Sequence, residues 1–497
     1  MTMGLEEYTC FERQGRYGPY GYAEITADDR GGTSEVPAIN WGDVKWGEVQ
    51  DKCYERNKER FETHDHGWGE SGRPQQALGW LSTWDKAKFY ENAEGVKEEA
   101  IAKRTAVLVR ARWDTPWHLS DMQNMRALIK ELSLHTGGEY QVFLLVEANE
   151  NDANKKTWLD EERYRHVVER SVPPEFAPIT YIYTESLLRT WYPALPPSST
   201  LREPFHKTFL HLPLQRFAHT HPTFSNFMQL NINTRFTGHW YSLLSSLGPF
   251  ARRQPRKLSW EKAERLYIPK LHGPYDTAFR DQVDSQQNYP DSVVWEYGRE
   301  IPEFQQYGPH HGDELAVDEH YMWGVGEEAD LISLSPIFNP NKTSWAGRGD
   351  VWNYKFGKHL RRRAIWGEEM MMSKLLVDVM HAEAVEGRFL NAKMAPATMA
   401  LLHGLKVVAA PVPVWMEMPW KGEEITQAFH TGPLGQLGNS AKSSYGVNSE
   451  SFWEEASYSP ESRIAAELWD RFMGRGGLAI EASHDFPLFG AANANLT

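Results

Sequence analysis

Two apolar runs on either side of an amphipathic segment constrain the fold of this chain most strongly. Residues 105–110 (TAVLVR) and 140–146 (YQVFLLV) have the continuous apolar character of strands that are buried on both faces. Between them, apolar residues recur at helical spacing over residues 120–132, and Ser120 is a candidate N-cap. A strand, a helix and a second strand in this order predict a βαβ unit. The sequence therefore indicates a Rossmann-like α/β fold, with a largely parallel central sheet flanked by helices.

The rest of the chain continues the same alternation of strands and helices. The predicted strands cover residues 179–183, 227–232, 329–334 and 406–410, and the predicted helices cover residues 208–218, 240–252, 368–385 and 395–403. Three regions follow from this pattern. We expect an irregular, aromatic-rich N-terminal arm that packs on the core (1–100), an α/β domain (101–420) and a C-terminal tail with one helix at residues 461–473 (421–497).

The composition excludes several classes of protein. A formal net charge of -14 argues against a uniformly basic coat for nucleic acid, so only local basic patches could contact RNA. The two cysteines, Cys10 and Cys53, are too few for a disulfide framework or a zinc cluster, which favours a reducing compartment. The N-terminal residues do not resemble a targeting peptide, and no apolar run is long enough to span a bilayer. We expect a cytoplasmic protein with no membrane partner.

The sequence contains no Walker loop, no HExxH, no CxxC pair and no GxSxG. In open α/β sheets, ligands bind at the carboxyl ends of the parallel strands. The strand predicted to end at residue 232 carries Asn231 and Asn233 at this position. Two amides offer donors and acceptors without charge and hold a divalent cation poorly, so we expect neither a metal nor another cofactor there. The alternative is that both asparagines cap a turn.

Two further groups of polar residues are candidates for a site. Arg235 and His239 follow the asparagines, and both face one groove if the next helix begins near residue 237. The alternative for His239 is a histidine that is packed and hydrogen-bonded in the core. Glu327, Glu328 and Asp330 place three carboxylates before a strand, which suits a pocket for an organic cation, although a solvated surface also explains them.

Two basic segments stand out against the acidic background of the chain. Each is accompanied by aromatic residues, a combination that suits an RNA backbone and its unstacked ends. A solvated helix face is the alternative for either segment. The candidate RNA-binding residues are Arg252, Arg253, Arg256, Lys257, Arg361, Arg362 and Arg363.

Six segments, in this order along the chain, resemble one fungal family of unknown function: RTAVLVR (104–110), NMRALI (124–129), RFTGHWY (235–241), WGVGEEADLI (323–332), PIFNP (336–340) and ATMALLHGLK (397–406). Some members of that family are arginine-containing cyclodipeptide synthases, which join arginine to a second amino acid taken from aminoacyl-tRNAs. The family's fold is similar to that of GT-A glycosyltransferases. The resemblance spans about residues 100–420. It implies a GT-A-like domain with arginyl-tRNA and a second aminoacyl-tRNA as partners.

The chain departs from the wider family at Asn231 and Asn233, where acidic residues are common. Without these carboxylates a metal site for a nucleotide sugar is weakened, which favours tRNA-dependent synthesis of a cyclo-Arg-Xaa diketopiperazine over glycosyl transfer. On this hypothesis Asn231, Asn233 and His239 orient the amine and the ester carbonyl, and His239 or a nearby carboxylate accepts the proton. Arg235 and the carboxylates at residues 327–330 bind the substrate. The alternatives are a glycosyltransferase with a degenerate metal site and a non-enzymatic RNA- or protein-binding module.

Overall fold

The computed structural model describes most of the chain between residues 13 and 412. The described residues are 3, 13–22, 39–61, 103–148, 161–285, 304, 307, 321–355, 357–412, 421, 469, 470, 472–474 and 488–489. The predicted C-terminal helix at residues 461–473 lies largely outside them. The limits of the three predicted regions stay predictions.

Thirteen strands lie in the described residues. In chain order they are β1 (Thr105–Arg112), β2 (Tyr140–Glu147), β3 (Thr180–Tyr183), β4 (Asn226–Asn231), β5 (Arg235–Phe236), β6 (Leu331–Ser333), β7 (Ile337–Phe338), β8 (Val351–Trp352), β9 (Ala364–Ile365), β10 (Met370–Ser373), β11 (Phe389–Leu390), β12 (Val407–Ala409) and β13 (Leu488–Phe489).

Seven of these strands form a central sheet with the order β12-β6-β10-β4-β1-β2-β3. Neighbouring strands are parallel except where β10 pairs with β4 and with β6. Six strands therefore end at one edge of the sheet, here called the carboxyl edge, and β10 begins at that edge. The predicted α/β fold with a largely parallel sheet is confirmed.

The helices of the described residues flank this sheet. They are α1 (Arg13–Tyr17), α2 (Trp46–Glu55), α3 (Leu119–Leu128), α4 (Glu161–Ser171), α5 (Glu185–Trp191), α6 (Phe205–Thr208), α7 (Leu212–Thr220), α8 (Trp240–Arg253), α9 (Ser259–Ala263), α10 (Pro269–His272), α11 (Arg280–Ser285), α12 (Lys374–Val385) and α13 (Ala395–Leu402). A π-helical segment, Ile129–Leu134, continues α3 towards β2.

One predicted helix is wrong in a way that bears on the site. Residues 368–385 form a strand followed by a helix, because β10 occupies the first part and α12 begins only after Ser373. The Ser373 hydroxyl oxygen accepts a hydrogen bond from the Leu376 N–H at 3.1 Å and so caps α12. Methionine has good helix propensity, so the run before Ser373 gives no local sign of a strand. Pairing with β4 and β6 decides its conformation.

The predicted cap of α3 is also displaced. The N-cap is His118, and Ser120 lies inside the first turn. The Asp121 carboxylate accepts a hydrogen bond from the His118 N–H at 2.8 Å, which satisfies a donor at the start of the helix. An acidic residue in this turn also interacts favourably with the helix dipole.

Side chains cover the edge of the sheet where β2 and β3 would otherwise expose their backbones. Gln50 of α2 exchanges two hydrogen bonds with the backbone of Val142, at 2.8 and 3.1 Å. The hydroxyl of Tyr164 donates to the Thr180 carbonyl at 3.2 Å and accepts from the Ile182 N–H at 3.3 Å. Because an open edge can pair with another chain, these contacts close the sheet on that side.

The N-terminal arm and the C-terminal tail meet beside β5. Tyr17 is fully buried with its ring 5.8 Å from that of Trp469, and the Tyr22 hydroxyl donates to the backbone carbonyl of Met473 at 2.5 Å. Strand β13 pairs with β5 in parallel. In its described residues, the arm contributes Tyr17 and Tyr22 to the hydrophobic core and also contains α2.

Candidate active site at the carboxyl edge

Four polar side chains meet on one face of the sheet at the carboxyl edge. Arg110 on β1 is in register with Asn231 on β4, and Gln229 lies two positions earlier on β4, so all three share a face. Both Arg110 Nη2 and Asn231 Nδ2 donate to Oε2 of Glu368, the latter at 3.1 Å. Gln229 Nε2 donates to the Glu368 backbone carbonyl at 2.8 Å. These four residues are here called the edge cluster.

Of the two charged groups in the edge cluster, Glu368 is the one that a ligand can reach. Its side chain is 21% exposed, whereas that of Arg110 is only 5% exposed. Burial disfavours the charged carboxylate, but the Arg110 guanidinium and the Asn231 amide outweigh it and hold the pKa of Glu368 below its usual range. The cluster therefore presents an ionised and oriented carboxylate at the end of the sheet.

The next residue, Glu369, has a different environment. Its Oε1 accepts a hydrogen bond from the Thr234 hydroxyl at 2.7 Å, and its Oε2 accepts from the Glu368 N–H at 3.1 Å. Burial, and then the negative charge of Glu368, raise the pKa of Glu369 to about 7. Two consecutive carboxyl groups thus differ in protonation near neutral pH, although only Glu368 is accessible, since Glu369 is 1% exposed.

A neutral histidine lies beneath the edge cluster. His211 is buried, and burial followed by the charge of Arg110 lowers its pKa to about 3. Its Nδ1 atom, Arg110 Nε and Gln229 Oε1 are buried without a hydrogen-bond partner among the described residues. The interior below Glu368 is therefore polar, but His211 adds no positive charge that would compete with Arg110.

A second row of polar residues lies closer to the carboxyl edge on the same face. Arg112 on β1 is in register with Glu147 on β2, which is in register with Tyr183 on β3. Arg112 donates to Asp114 Oδ1 at 3.0 Å and to His206 Nε2 at 2.7 Å. Because a guanidinium only donates, His206 accepts at Nε2 and is neutral. Burial, and then the charge of Arg112, lower the pKa of His206 to about 4.

The two asparagines predicted from the sequence lie at this edge. Asn231 belongs to the edge cluster, and its Oδ1 also accepts a hydrogen bond from the Asn233 N–H at 3.0 Å, which caps the turn after β4. Asn233 is half-buried one step further along this turn. Asn231 therefore stabilises the turn through its Oδ1 atom and orients the Glu368 carboxylate through its Nδ2 atom.

The groove predicted for Arg235 and His239 is wrong. Arg235 is fully buried and donates to the Asp121 carboxylate, so it faces no groove. His239 Nδ1 lies 3.9 Å from Glu131 Oε2, and its ring centroid lies 5.7 Å from that of His135. Both neighbours belong to the last turns of the helical segment that leads into β2, away from the carboxyl edge. The reason is that the chain turns back along α3 after Asn231.

The three carboxylates at residues 327–330 lie at the amino end of β6, opposite the edge cluster. Asp330 accepts hydrogen bonds from the Ser373 hydroxyl at 2.8 Å and from a backbone N–H at 3.0 Å, and burial raises its pKa. Glu327 Oε2 lies 2.6 Å from Arg256 Nε in a largely buried ion pair. Glu328 is exposed on the surface. The structure therefore does not bring these side chains together with Asn231.

The predicted RNA-binding residues divide into buried and exposed groups. Arg256 forms an ion pair with Glu327. Arg362 is buried and donates hydrogen bonds to the Arg348 carbonyl and to Asn341 Oδ1. The side chain of Arg363 is largely buried beside Glu264. The residues still accessible to a phosphate backbone are Arg252 and Arg253, which are exposed, and Lys257 and Arg361, which are half-buried.

Arg110, Glu368 and Glu369 are not among the site residues predicted from the sequence. The available signal is the order Gly367, two glutamates, a short apolar run and Ser373. If this run is interpreted as a strand ahead of a Ser-capped helix, the two glutamates fall at a strand terminus. The direction of that strand decides whether they reach the carboxyl edge, and local sequence does not reveal it.

The fold and the edge cluster define a mixed α/β protein with an acidic and amide-lined site at the carboxyl edge of a mostly parallel sheet. The chain belongs to the family described as "Protein of unknown function (DUF3405)", whose model matches residues 10–484. No curated protein matches the chain. Among the described helices, none combines the length and the apolar character needed to cross a bilayer.

Proposed function

We propose that this chain is a tRNA-dependent cyclodipeptide synthase, which forms a cyclo-Arg-Xaa diketopiperazine from arginyl-tRNA and a second aminoacyl-tRNA. The observation that carries the proposal is the position of Glu368. Its carboxylate is oriented by Arg110 and Asn231, partly exposed, and located where the parallel strands end. An ionised carboxylate at this place can accept a proton from an attacking amine. The six segments that resemble a family with such synthases among its members also support the proposal.

The proposed chemistry requires positioning and proton transfer. An aminoacyl ester is already activated, and an α-amino group with a pKa of about 7.7–8.0 is partly neutral near physiological pH. The amine nitrogen of one aminoacyl group attacks the ester carbonyl of the other and forms an amide bond. The ester C–O bond breaks, and the ribose oxygen leaves as a hydroxyl with the proton that Glu368 took from the amine. A second attack of the same kind closes the ring. Glu368 accepts each proton from the amine, and Arg110 and Asn231 keep the carboxylate oriented.

A divalent cation fits the edge cluster poorly. The Arg110 guanidinium, which donates to Glu368 Oε2, places a positive charge beside the only carboxylate of the edge cluster, and Asn231 and Asn233 contribute no negative charge. Glycosyl transfer from a metal-bound nucleotide sugar is therefore less well supported than aminoacyl transfer.

The test is synthesis from defined components. The purified chain is incubated with arginine, all other amino acids, total tRNA and aminoacyl-tRNA synthetases, and the products are identified by mass. We expect a cyclo-Arg-Xaa product from the parent, and a rate lower by about 10²–10⁴-fold in Glu368→Gln, the range for loss of a general base. Glu386, whose side chain is 66% exposed at the end of α12, provides the control Glu386→Gln.

Thermal unfolding of both variants shows whether they remain folded, which we expect because glutamine keeps an acceptor for Arg110 and Asn231. A parent that forms no diketopiperazine would contradict the proposed function. Equal rates from the parent and a folded Glu368→Gln variant would contradict the assignment of the base.

A further inference from the structure

The row of Arg112, Glu147 and Tyr183 contains one hydroxyl that the mechanism above does not use. Tyr183 is the last residue of β3 and is only 8% exposed. Its register with Glu147, and that of Glu147 with Arg112, places it on the face of the edge cluster. The Tyr183 hydroxyl has no hydrogen-bond partner among the described residues. A hydroxyl that lacks a protein partner, on a ring that is otherwise buried, is a place where a ligand can form a hydrogen bond.

The surroundings of this phenol keep it protonated. Burial has the largest influence on its pKa, and the charges of Glu147 and Glu368 raise the pKa further, against the opposite influence of Arg110 and Arg112. The net result is a raised pKa for Tyr183. A phenol normally titrates near pH 10, so this hydroxyl is a hydrogen-bond donor throughout the physiological range.

Other donors in the row are already engaged. Arg112 donates to both Asp114 and His206, which leaves the Tyr183 hydroxyl as the donor with no protein acceptor. Tyr183 and Glu368 interact electrostatically, although β3 and β10 are four strand spacings apart, or about 19 Å between backbones. The phenol and the carboxylate therefore face one common site.

We propose that Tyr183 is a further catalytic residue, whose hydroxyl donates a hydrogen bond to the carbonyl oxygen of the ester under attack. This inference rests on the proposed function, because it assigns Glu368 to the attacking amine and Tyr183 to the electrophilic ester. As the amine adds, negative charge develops on that oxygen, and a donor already in place stabilises it. When the ribose hydroxyl leaves, the carbonyl re-forms and the phenol keeps its proton.

The first test compares two tyrosines of one strand. Tyr181 also lies on β3, but it is exposed, and its hydroxyl is 3.0 Å from His221 Nε2. We expect Tyr183→Phe to lower kcat/KM for diketopiperazine formation by about 10²-fold, as for loss of one oxyanion donor. Its unfolding temperature should be unchanged, because the lost hydroxyl bonds no described residue. Tyr181→Phe should match the parent in rate. A Tyr183→Phe variant as active as the parent would overturn the inference.

The second test does not depend on turnover. Chains labelled with ¹³Cζ-tyrosine are titrated with arginine methyl ester as a small aminoacyl ester, and the Tyr183 resonance is assigned by its loss in Tyr183→Phe. A saturable shift at Tyr183 with none at Tyr181 is expected, and its absence would overturn the inference even if the parent makes product. If the parent makes no product but shows the shift at Tyr183, the result contradicts the proposed function. It still supports a contact between the Tyr183 hydroxyl and an aminoacyl ester.

Discussion

Glu368 and Glu369 are consecutive in the chain, yet Arg110 holds the first carboxylate and the Thr234 hydroxyl, 2.7 Å away, holds the second. The different surroundings of the two groups separate two pKa values that would otherwise be similar. Arg110 keeps the pKa of Glu368 below its usual range, whereas burial and the charge of Glu368 raise that of Glu369 to about 7. The carboxyl edge therefore carries one carboxylate that stays ionised and one that exchanges its proton near neutrality.

Glu369→Gln should change the pH dependence of stability. The folded pKa of about 7 lies above the value of about 4.3 for an unfolded glutamate, so the native state binds more protons between these values. Glu369 therefore lowers the free energy of unfolding as pH rises through this window. The variant lacks this effect, and we expect it to gain stability relative to the parent between about pH 4.5 and 7, by at most about 1.4 kcal/mol per pH unit. Denaturant midpoints across this range measure the difference. Parallel curves for the two proteins would show that Glu369 does not titrate there.

Arg235 should be essential for stability. Arg235→Met leaves the buried carboxylate of Asp121 without its cation, which should cost about 3–5 kcal/mol of unfolding free energy, as for breaking a buried ion pair. Arg252→Met, at an exposed arginine, should change stability by less than about 0.5 kcal/mol. Urea denaturation compares the two variants. Unchanged stability in Arg235→Met, together with weaker substrate binding, would restore the substrate-binding role predicted from the sequence.

The exposed arginines Arg252 and Arg253 should govern the salt dependence of tRNA binding. Neutralising both Arg252 and Arg253 should weaken tRNA binding and reduce the slope of log affinity against log salt by about two, or about one per phosphate contact. The control is Lys45→Ser with Lys52→Ser, at two exposed lysines near α2. Equal slopes in the parent and the arginine variant would show that Arg252 and Arg253 do not contact RNA phosphates.

Product formation from pre-charged tRNA should survive EDTA. The reason is that the Arg110 guanidinium, a charge of the chain itself, neutralises the Glu368 carboxylate. The measurement compares initial rates with and without the chelator, with spermidine present to keep the tRNA folded. A loss of product that manganese restores would favour the glycosyltransferase alternative.

The strands that could be predicted from the sequence are those defined by their own residues. β1, β2 and β4 agree with the predicted runs to within one or two residues, because a strand buried on both faces requires a continuous apolar sequence. β10 could not be recognised in this way. Its methionines suit a helix equally well, and only pairing with β4 and β6 makes them a strand.

The same distinction explains which residues of the site could be predicted from the sequence. Asn231 could be predicted because it ends a recognisable strand. Glu368 reaches the carboxyl edge only because β10 runs antiparallel to its neighbours, and the burial of Arg235 depends on Asp121, far away in the sequence. Tyr183 ends one predicted strand and Glu147 directly follows another, but their common row depends on register, which neither segment determines alone.

The pairing of β13 with β5 joins two segments that are far apart in the sequence. Leu488 and Phe489 lie beside Arg235 and Phe236, in the segment that directly follows the turn at Asn231. A pairing of this kind closes a long loop, which costs chain entropy and slows formation of the contact. We therefore expect Arg235 and Phe236 to reach their final packing late in folding, after the more local contacts between β1 and β2 have formed.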